Sequence, residues 1–187
     1  MNTFTRLLPA AIASATAMTL VLLSPPAAAA STAEINRDAT AALNALYKRY
    51  PSAVTLSKGA KAILVFPKVT KAGLMIGGET GDGVLQVKGK AVGYYNTSGV
   101  SFGLQAGAQT FGYALFLMTD SAVKTLGRAE GLEVGVGPTV VVMDEGMASK
   151  TTTTTAQSDI YAFIFSQKGI MGGLGIQGSK ITKLDKK

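Results

Sequence analysis

Between Val100 and Met118 the chain alternates as an extended strand does. Val100, Phe102, Leu104, Ala106 and Ala108 fall on one side, and Ser101, Gly103, Gln105, Gly107 and Gln109 on the other. Past Thr110 the large side chains change parity to Phe111, Tyr113, Leu115 and Leu117. Strand side chains repeat every two residues, so a one-residue switch predicts a bulge or sharp bend, as in a sheet that curls. The glycines point the same way. All 22 lie after residue 30, and many fall inside strand patterns: Gly103 and Gly107 share a face, as do Gly135 and Gly137. A missing side chain in a strand marks a bend, a bulge or a close approach of backbones, and suits a small, strongly curved sheet.

The other elements follow from the same reading. Ser31 with Glu34 three residues on is a capping-box pattern, and Ile35, Ala39, Ala42, Leu43, Leu46, Tyr47 and Tyr50 recur at helical spacing up to Pro51. The opposite face carries Arg37, Asp38, Asn44, Lys48 and Arg49, so the helix is amphipathic. It is expected to pack on the sheet rather than lie on a membrane, because its apolar side chains are small. Ala62 to Phe66 is a short strand ended by Pro67. Leu74 to Val87 is a hairpin turning at Thr80–Gly83, and Ala91 to Thr97 is a strand leaving at Asn96–Gly99. Thr119 and Asp120 cap a short helix with Ala122, Val123 and Leu126 inward and Gly127 near its end. Further strands are expected at Leu132–Met143, Thr151–Thr155, Ile160–Phe165 and Ile170–Leu184, with turns at Asp144–Gly146 and Gln167–Gly169. The sum is an α+β chain, mostly β. A curled antiparallel or small barrel-like sheet carries a leading amphipathic helix and one short internal helix.

Residues 1–30 have the pattern of an export signal. Arg6 precedes an apolar run from Leu7 to Leu23, Ser24-Pro25-Pro26 breaks it, and Ala27 to Ala30 offers a cleavage site before Ser31. The rival is a transmembrane anchor, disfavoured by Pro9 and the alanine-rich exit. The mature chain is then one domain over residues 31–187, expected in the periplasm or secreted. Without Cys it carries neither a disulfide nor a lipoprotein anchor.

With no His and no Cys, Ser-His-Asp and Cys-His catalysis are excluded, as are Cys/His zinc sites and haem held by those residues. No acid pair or Ser-Lys spacing stands out, so no catalytic residue, metal ligand or cofactor is expected. Gly173 to Gly178 spells G-x-G-x-x-G, but its chemistry needs a following helix and an acid about twenty residues on, and the chain has neither. Gly77 to Gly83 is expected to be a turn, where Glu79 and Asp82 make a thin cage for a cation.

The charge is more informative. Lys and Arg number 18 against 11 Asp and Glu, and the leader removes only Arg6. Between Asp38 and Glu79 there is no acid, while Lys48, Arg49, Lys58, Lys61, Lys68 and Lys71 fall there. Basic side chains near an anionic bilayer contribute about 1 kcal/mol each, so such a segment makes a salt-sensitive membrane contact. A solvated basic rim with no partner is the plainer reading. Nucleic acid is not expected, since arginines and aromatics are not interleaved.

Several blocks resemble the SYLF domain family. They are Ser57-Lys58-Gly59-Ala60-Lys61 leading to Val65-Phe66-Pro67, then Lys71-Ala72-Gly73 and Gly77-Gly78. Gly93-Tyr94-Tyr95-Asn96, Ser101 to Gln109 and Lys168 to Gly173 continue the likeness, which spans about residues 35–184. The resemblance implies a non-enzymatic lipid-binding module, with relatives that bind phosphoinositides and, in yeast, actin. It also implies lipid contact near the leading helix, here at Lys48, Arg49, Lys58 and Lys61. The helix here is alanine-rich and only modestly basic, and no SH3 or FYVE companion is present. The expected partner is therefore the surface of an anionic phospholipid membrane, bound peripherally through the six cations of residues 48–71. The alternative is a structural or protein-interaction module with a protein partner in the envelope. An outer-membrane barrel is the third reading, disfavoured because Leu184-Asp185-Lys186-Lys187 stands where a terminal aromatic strand would be.

Overall fold

The computed structural model describes residues 30–128, 132–133, 140–143 and 158–186. In chain order the elements are α1 (Thr32–Arg49), α2 (Pro51–Gly59), β1 (Ala62–Val87), β2 (Lys90–Leu117), α3 (Asp120–Leu126), β3 (Leu132–Glu133), β4 (Val140–Met143) and β5 (Ile160–Leu184). The expected leader, the threonine strand, the Asp144–Gly146 turn, and Gly135 and Gly137 lie outside the described residues.

The capping box forms as expected. The Ser31 hydroxyl accepts from the Glu34 amide at 3.3 Å, and Glu34 Oε2 accepts from the Ser31 amide at 2.8 Å. Helix α1 buries Ile35, Ala39, Leu43 and Leu46. Pro51 ends it, as expected, and the chain turns directly into a second helix. Proline lacks an N–H that the first helical turn does not need, so Pro51 also starts α2, which buries Ser52, Ala53 and Leu56. Nine residues are too few for a periodic signal, which is why this helix escapes the sequence reading. Helix α3 matches expectation, with the Thr119 hydroxyl accepting from Ala122 N–H and Ala122 and Leu126 buried.

Among the described residues the sheet has five strands in the order β1-β2-β5-β3, with β4 pairing the other end of β5. All these pairings are antiparallel except β4 with β5, so the sheet is mixed. Three expected turns are instead strand. Pro67 does not end the first strand, because a bulge absorbs it: Phe66 pairs Tyr113 and Val69 pairs Phe111, leaving Pro67 and Lys68 facing only Gly112. Thr80 to Gly83 pairs in register with Ser98 to Tyr95, so it is not a hairpin turn, and the Asn96–Gly99 exit does not exist either. The real turn is Lys88-Gly89, whose φ angles of 50° and 75° are those of a two-residue hairpin loop. Gln167 to Gly169 lies within β5, beside a second bulge at Ser166 and Gln167.

These long strands fold over on themselves. A Cβ at Gly73 would sit 2.2 Å from Gly77 Cα, so β1 doubles back there. A Cβ at Gly83 would sit 2.5 Å from both the Val65 carbonyl oxygen and Phe66 Cδ1, so the returning half lies directly on the outgoing half. This is the curl that the glycine pattern predicts. The parity switch of β2 has a related origin. At the switch the extra residues are Pro67 and Lys68 on β1 and Ser166 and Gln167 on β5, while β2 keeps its alternation there: Gln109, Phe111 and Tyr113 line one cavity together.

Two cores result. One lies between the helices and the sheet, where Leu46, Leu56, Val65, Ala114, Phe116 and Phe163 meet. Phe163 packs edge-on against Phe116 at 5.3 Å and against Tyr50 at 5.7 Å. The other lies inside the fold-over, where Leu64 and Phe66 meet Leu85 and Tyr95 with Leu126 of α3 beneath. Each fully buried Leu or Phe contributes about 1.5–3 kcal/mol.

Candidate functional site

The fold distributes the six expected cations along the molecule. Lys48 and Arg49 end α1, Lys58 ends α2, and Lys61 stands at the entry to β1. All four are exposed at the end of the molecule that also holds the Lys88-Gly89 turn, called here the base. Arg49 lies 5.5 Å from the Tyr50 ring centroid, a cation–π contact. Lys68 and Lys71 are carried away from the base along β1. The bulge at Pro67 and Lys68 reverses the inward parity, so Lys68 is exposed while Lys71 turns into the fold-over.

At the base a groove of about 450 Å³ opens between the helices and the hairpin turn. Lys58 and Lys88 line it with Thr40, Asn44, Tyr47, Ser57 and Gln86. Among the described residues its polar side chains are two ammonium groups, three hydroxyls and two amides, with no carboxylate. The Thr40 and Ser57 hydroxyls donate to the Asn36 and Val54 carbonyls, which leaves the two ammonium groups, Tyr47 and the two amides as donors for an anion. Burial pushes the Tyr47 hydroxyl above its ordinary pKa, with a hydrogen bond to Ser57 pulling the other way. Tyr47 therefore stays a neutral donor at physiological pH. Lys88 did not emerge from the sequence. The signal that marks it is the Lys88-Gly89 pair between two alternating apolar runs.

A second cavity of about 250 Å³ lies inside the fold-over. Val69, Phe111, Tyr113 and Ile164 give it apolar walls, and Lys71, Glu79, Thr97, Gln109 and Gln167 reach it as polar groups. Tyr113 titrates well above the usual tyrosine range, first because it is buried and then because the negative charge of Glu79 disfavours a second anion. Glu79 and Asp82 do not share a cation cage. Glu79 is buried against this cavity, whereas Asp82 pairs with Lys186 at 2.7 Å and accepts from Asn96 at 2.9 Å. Residues 173–178, the G-x-G-x-x-G match, lie within β5 and open no helix. No helix among the described residues is long and apolar enough to cross a membrane.

Residues 98–187 match the family model described as Ysc84, Las17-binding protein actin regulator, in agreement with the SYLF resemblance. The matched span takes in most of β2 and all of α3, β3, β4 and β5. No curated protein matches the chain.

Proposed function

We propose, with the family match over residues 98–187 as premise, that this chain is a non-enzymatic peripheral membrane-binding module that recognises anionic phospholipid head groups. The observation that carries the reading is the base groove, where Lys58 and Lys88 converge with Tyr47, Asn44 and Gln86 and no carboxylate lines it among the described residues. Lys48, Arg49 and Lys61 add positive charge at the same end, and Lys68 extends it along β1. Lys71 belongs to the inner cavity and contributes to the field rather than to a contact. The leader pattern of Arg6, the apolar run and Ala27–Ala30 supports an exported protein, in the periplasm or outside the cell.

The test is sedimentation of the purified chain with phosphatidylglycerol or phosphatidylcholine vesicles. A Lys→Glu exchange removes one attraction of about 1 kcal/mol and adds a comparable repulsion, so Lys58→Glu with Lys88→Glu lowers phosphatidylglycerol affinity by more than tenfold. Unchanged binding in that variant would overturn the groove assignment. The family description names an actin regulator, which supports a second reading, a protein partner. Stoichiometric capture of one protein by a chain indifferent to lipid selects that reading.

A further inference from the structure

The place where β1 doubles back is an exposed apolar corner. Leu74, Met75 and Ile76 are 75%, 63% and 60% exposed, and the adjoining Phe102 and Ile170 are 58% and 86% exposed. The strand ladder gathers them: Ile76 pairs Phe102, Leu74 pairs Ala106, and Ile170 pairs Ala108. Met75 holds this position with φ at 62°, a left-handed conformation that non-glycine residues seldom adopt. Among the described residues no helix covers the corner, since α1 and α2 pack over the roots of the strands.

The described charges nearest the corner along β1 and β5 are basic. Lys168 stands two residues before Ile170 on β5 and Lys68 precedes the corner on β1, both exposed, whereas Lys180 on the returning part of β5 stands opposite Glu133 of β3. The three long strands contain only two acids, Glu79, which is buried, and Asp82, which is paired with Lys186. An apolar tip with Lys168 and Lys68 behind it complements an anionic bilayer, with hydrocarbon beneath and phosphates above. A protein partner with a shaped pocket needs no such one-sided charge.

We propose that this corner is an insertion tip: Leu74, Met75, Ile76, Phe102 and Ile170 enter the apolar layer of an anionic bilayer while Lys168 remains at phosphate depth and Lys68, about 20 Å back along β1, adds a longer-range attraction. The inference rests on the membrane reading and adds a contact that the base groove does not supply. Twelve residues of strand separate Ala62 at the base from Leu74, roughly 40 Å at about 3.3 Å per residue, so the two surfaces are separable by mutation.

The chain contains no Trp, so a single one is a clean reporter. Phe102→Trp places it on the corner and Val54→Trp on α2 at the base, both on exposed side chains. With phosphatidylglycerol vesicles carrying brominated acyl chains, the Phe102→Trp emission shifts to the blue and is quenched, while the Val54→Trp emission stays aqueous. Met75→Asp with Ile170→Asp lowers vesicle affinity at least tenfold without changing the circular dichroism or thermal midpoint. If the vesicles sediment the chain but the Phe102→Trp emission stays aqueous, the insertion tip is overturned and the membrane reading stands. If the unaltered chain does not sediment with these vesicles, both fall. If the Phe102→Trp emission is already blue-shifted without lipid, and ultracentrifugation shows a dimer that the Asp variant dissociates, the corner is a self-association surface and the proposal is overturned.

Discussion

Replacing Gly83 by Ala tests whether β1 folds back on itself. The added methyl would stand 2.5 Å from the Val65 carbonyl oxygen and 2.5 Å from Phe66 Cδ1. Neither neighbour yields easily, since one is backbone and the other is a fully buried ring. Forcing a methyl into such a contact costs about 1–3 kcal/mol. Gly78 lies on the same strand with nothing within 4 Å of its Cβ position, so Gly78→Ala meets no clash. Both changes restrict the unfolded chain alike, an effect of about 0.4–1 kcal/mol that cancels in the comparison. Thermal unfolding followed by circular dichroism should therefore place Gly83→Ala below Gly78→Ala by about 2–4 °C per kcal/mol, or roughly 4–8 °C for a 2 kcal/mol difference. Urea midpoints should keep the same order at unchanged slope. Equal midpoints for the two variants would show that the returning half of β1 does not lie on Val65 and Phe66, and the curl would have to be abandoned.

Removing the helix cap by Ser31→Ala should cost about 1 kcal/mol, seen as a lower thermal midpoint, because the Glu34 amide loses its acceptor. Burial alone would raise the Asp82 pKa, but the hydrogen bonds from Lys186 and Asn96 and the charge of Lys186 outweigh it and hold the carboxyl below its ordinary value. Its folded pKa is depressed, so its contribution is present above about pH 4 and lost as the pH falls through the folded value. Asp82→Asn should flatten the stability–pH profile there. Tyr113 shifts the opposite way. Its contribution is present below pH about 10 and lost as the pH rises through its folded value, so an alkaline absorbance titration should show Tyr113 among the tyrosines that ionise late, and Tyr113→Phe should reduce the last step by one tyrosine.

Local signals were legible where one residue type has one job. The Ser31 and Glu34 pair capped a helix, Thr119 capped another, and the strand glycines marked where backbones approach. The turns were misplaced because the same residues serve two purposes. Thr80-Gly81-Asp82-Gly83 has turn chemistry, yet its glycines are there because the returning strand lies on Val65, and only a contact distant in sequence decides between the two. Lys88-Gly89 was missed because lysine is a less usual first residue for that loop than asparagine or aspartate. The acid-free stretch of residues 39–78 was visible as charge, but its division was not. The bulge at Pro67 and Lys68 turns Lys71 inward, and Lys88, thirty residues beyond Lys58 in sequence, completes the base groove. The apolar corner was hidden for the reverse reason. The alternation of Val100 and Phe102 looks like a core face, and only the position of the bend leaves that face open.

The central claim is that positive charge on this chain recognises anionic lipid, and vesicle sedimentation across a salt series tests it most directly. The chain should pellet with phosphatidylglycerol vesicles at about 50 mM salt, release progressively toward about 0.5 M as the charges are screened, and ignore phosphatidylcholine throughout. A chain that stays in the supernatant at low salt, or that pellets equally with both lipids at every salt concentration, would contradict the account.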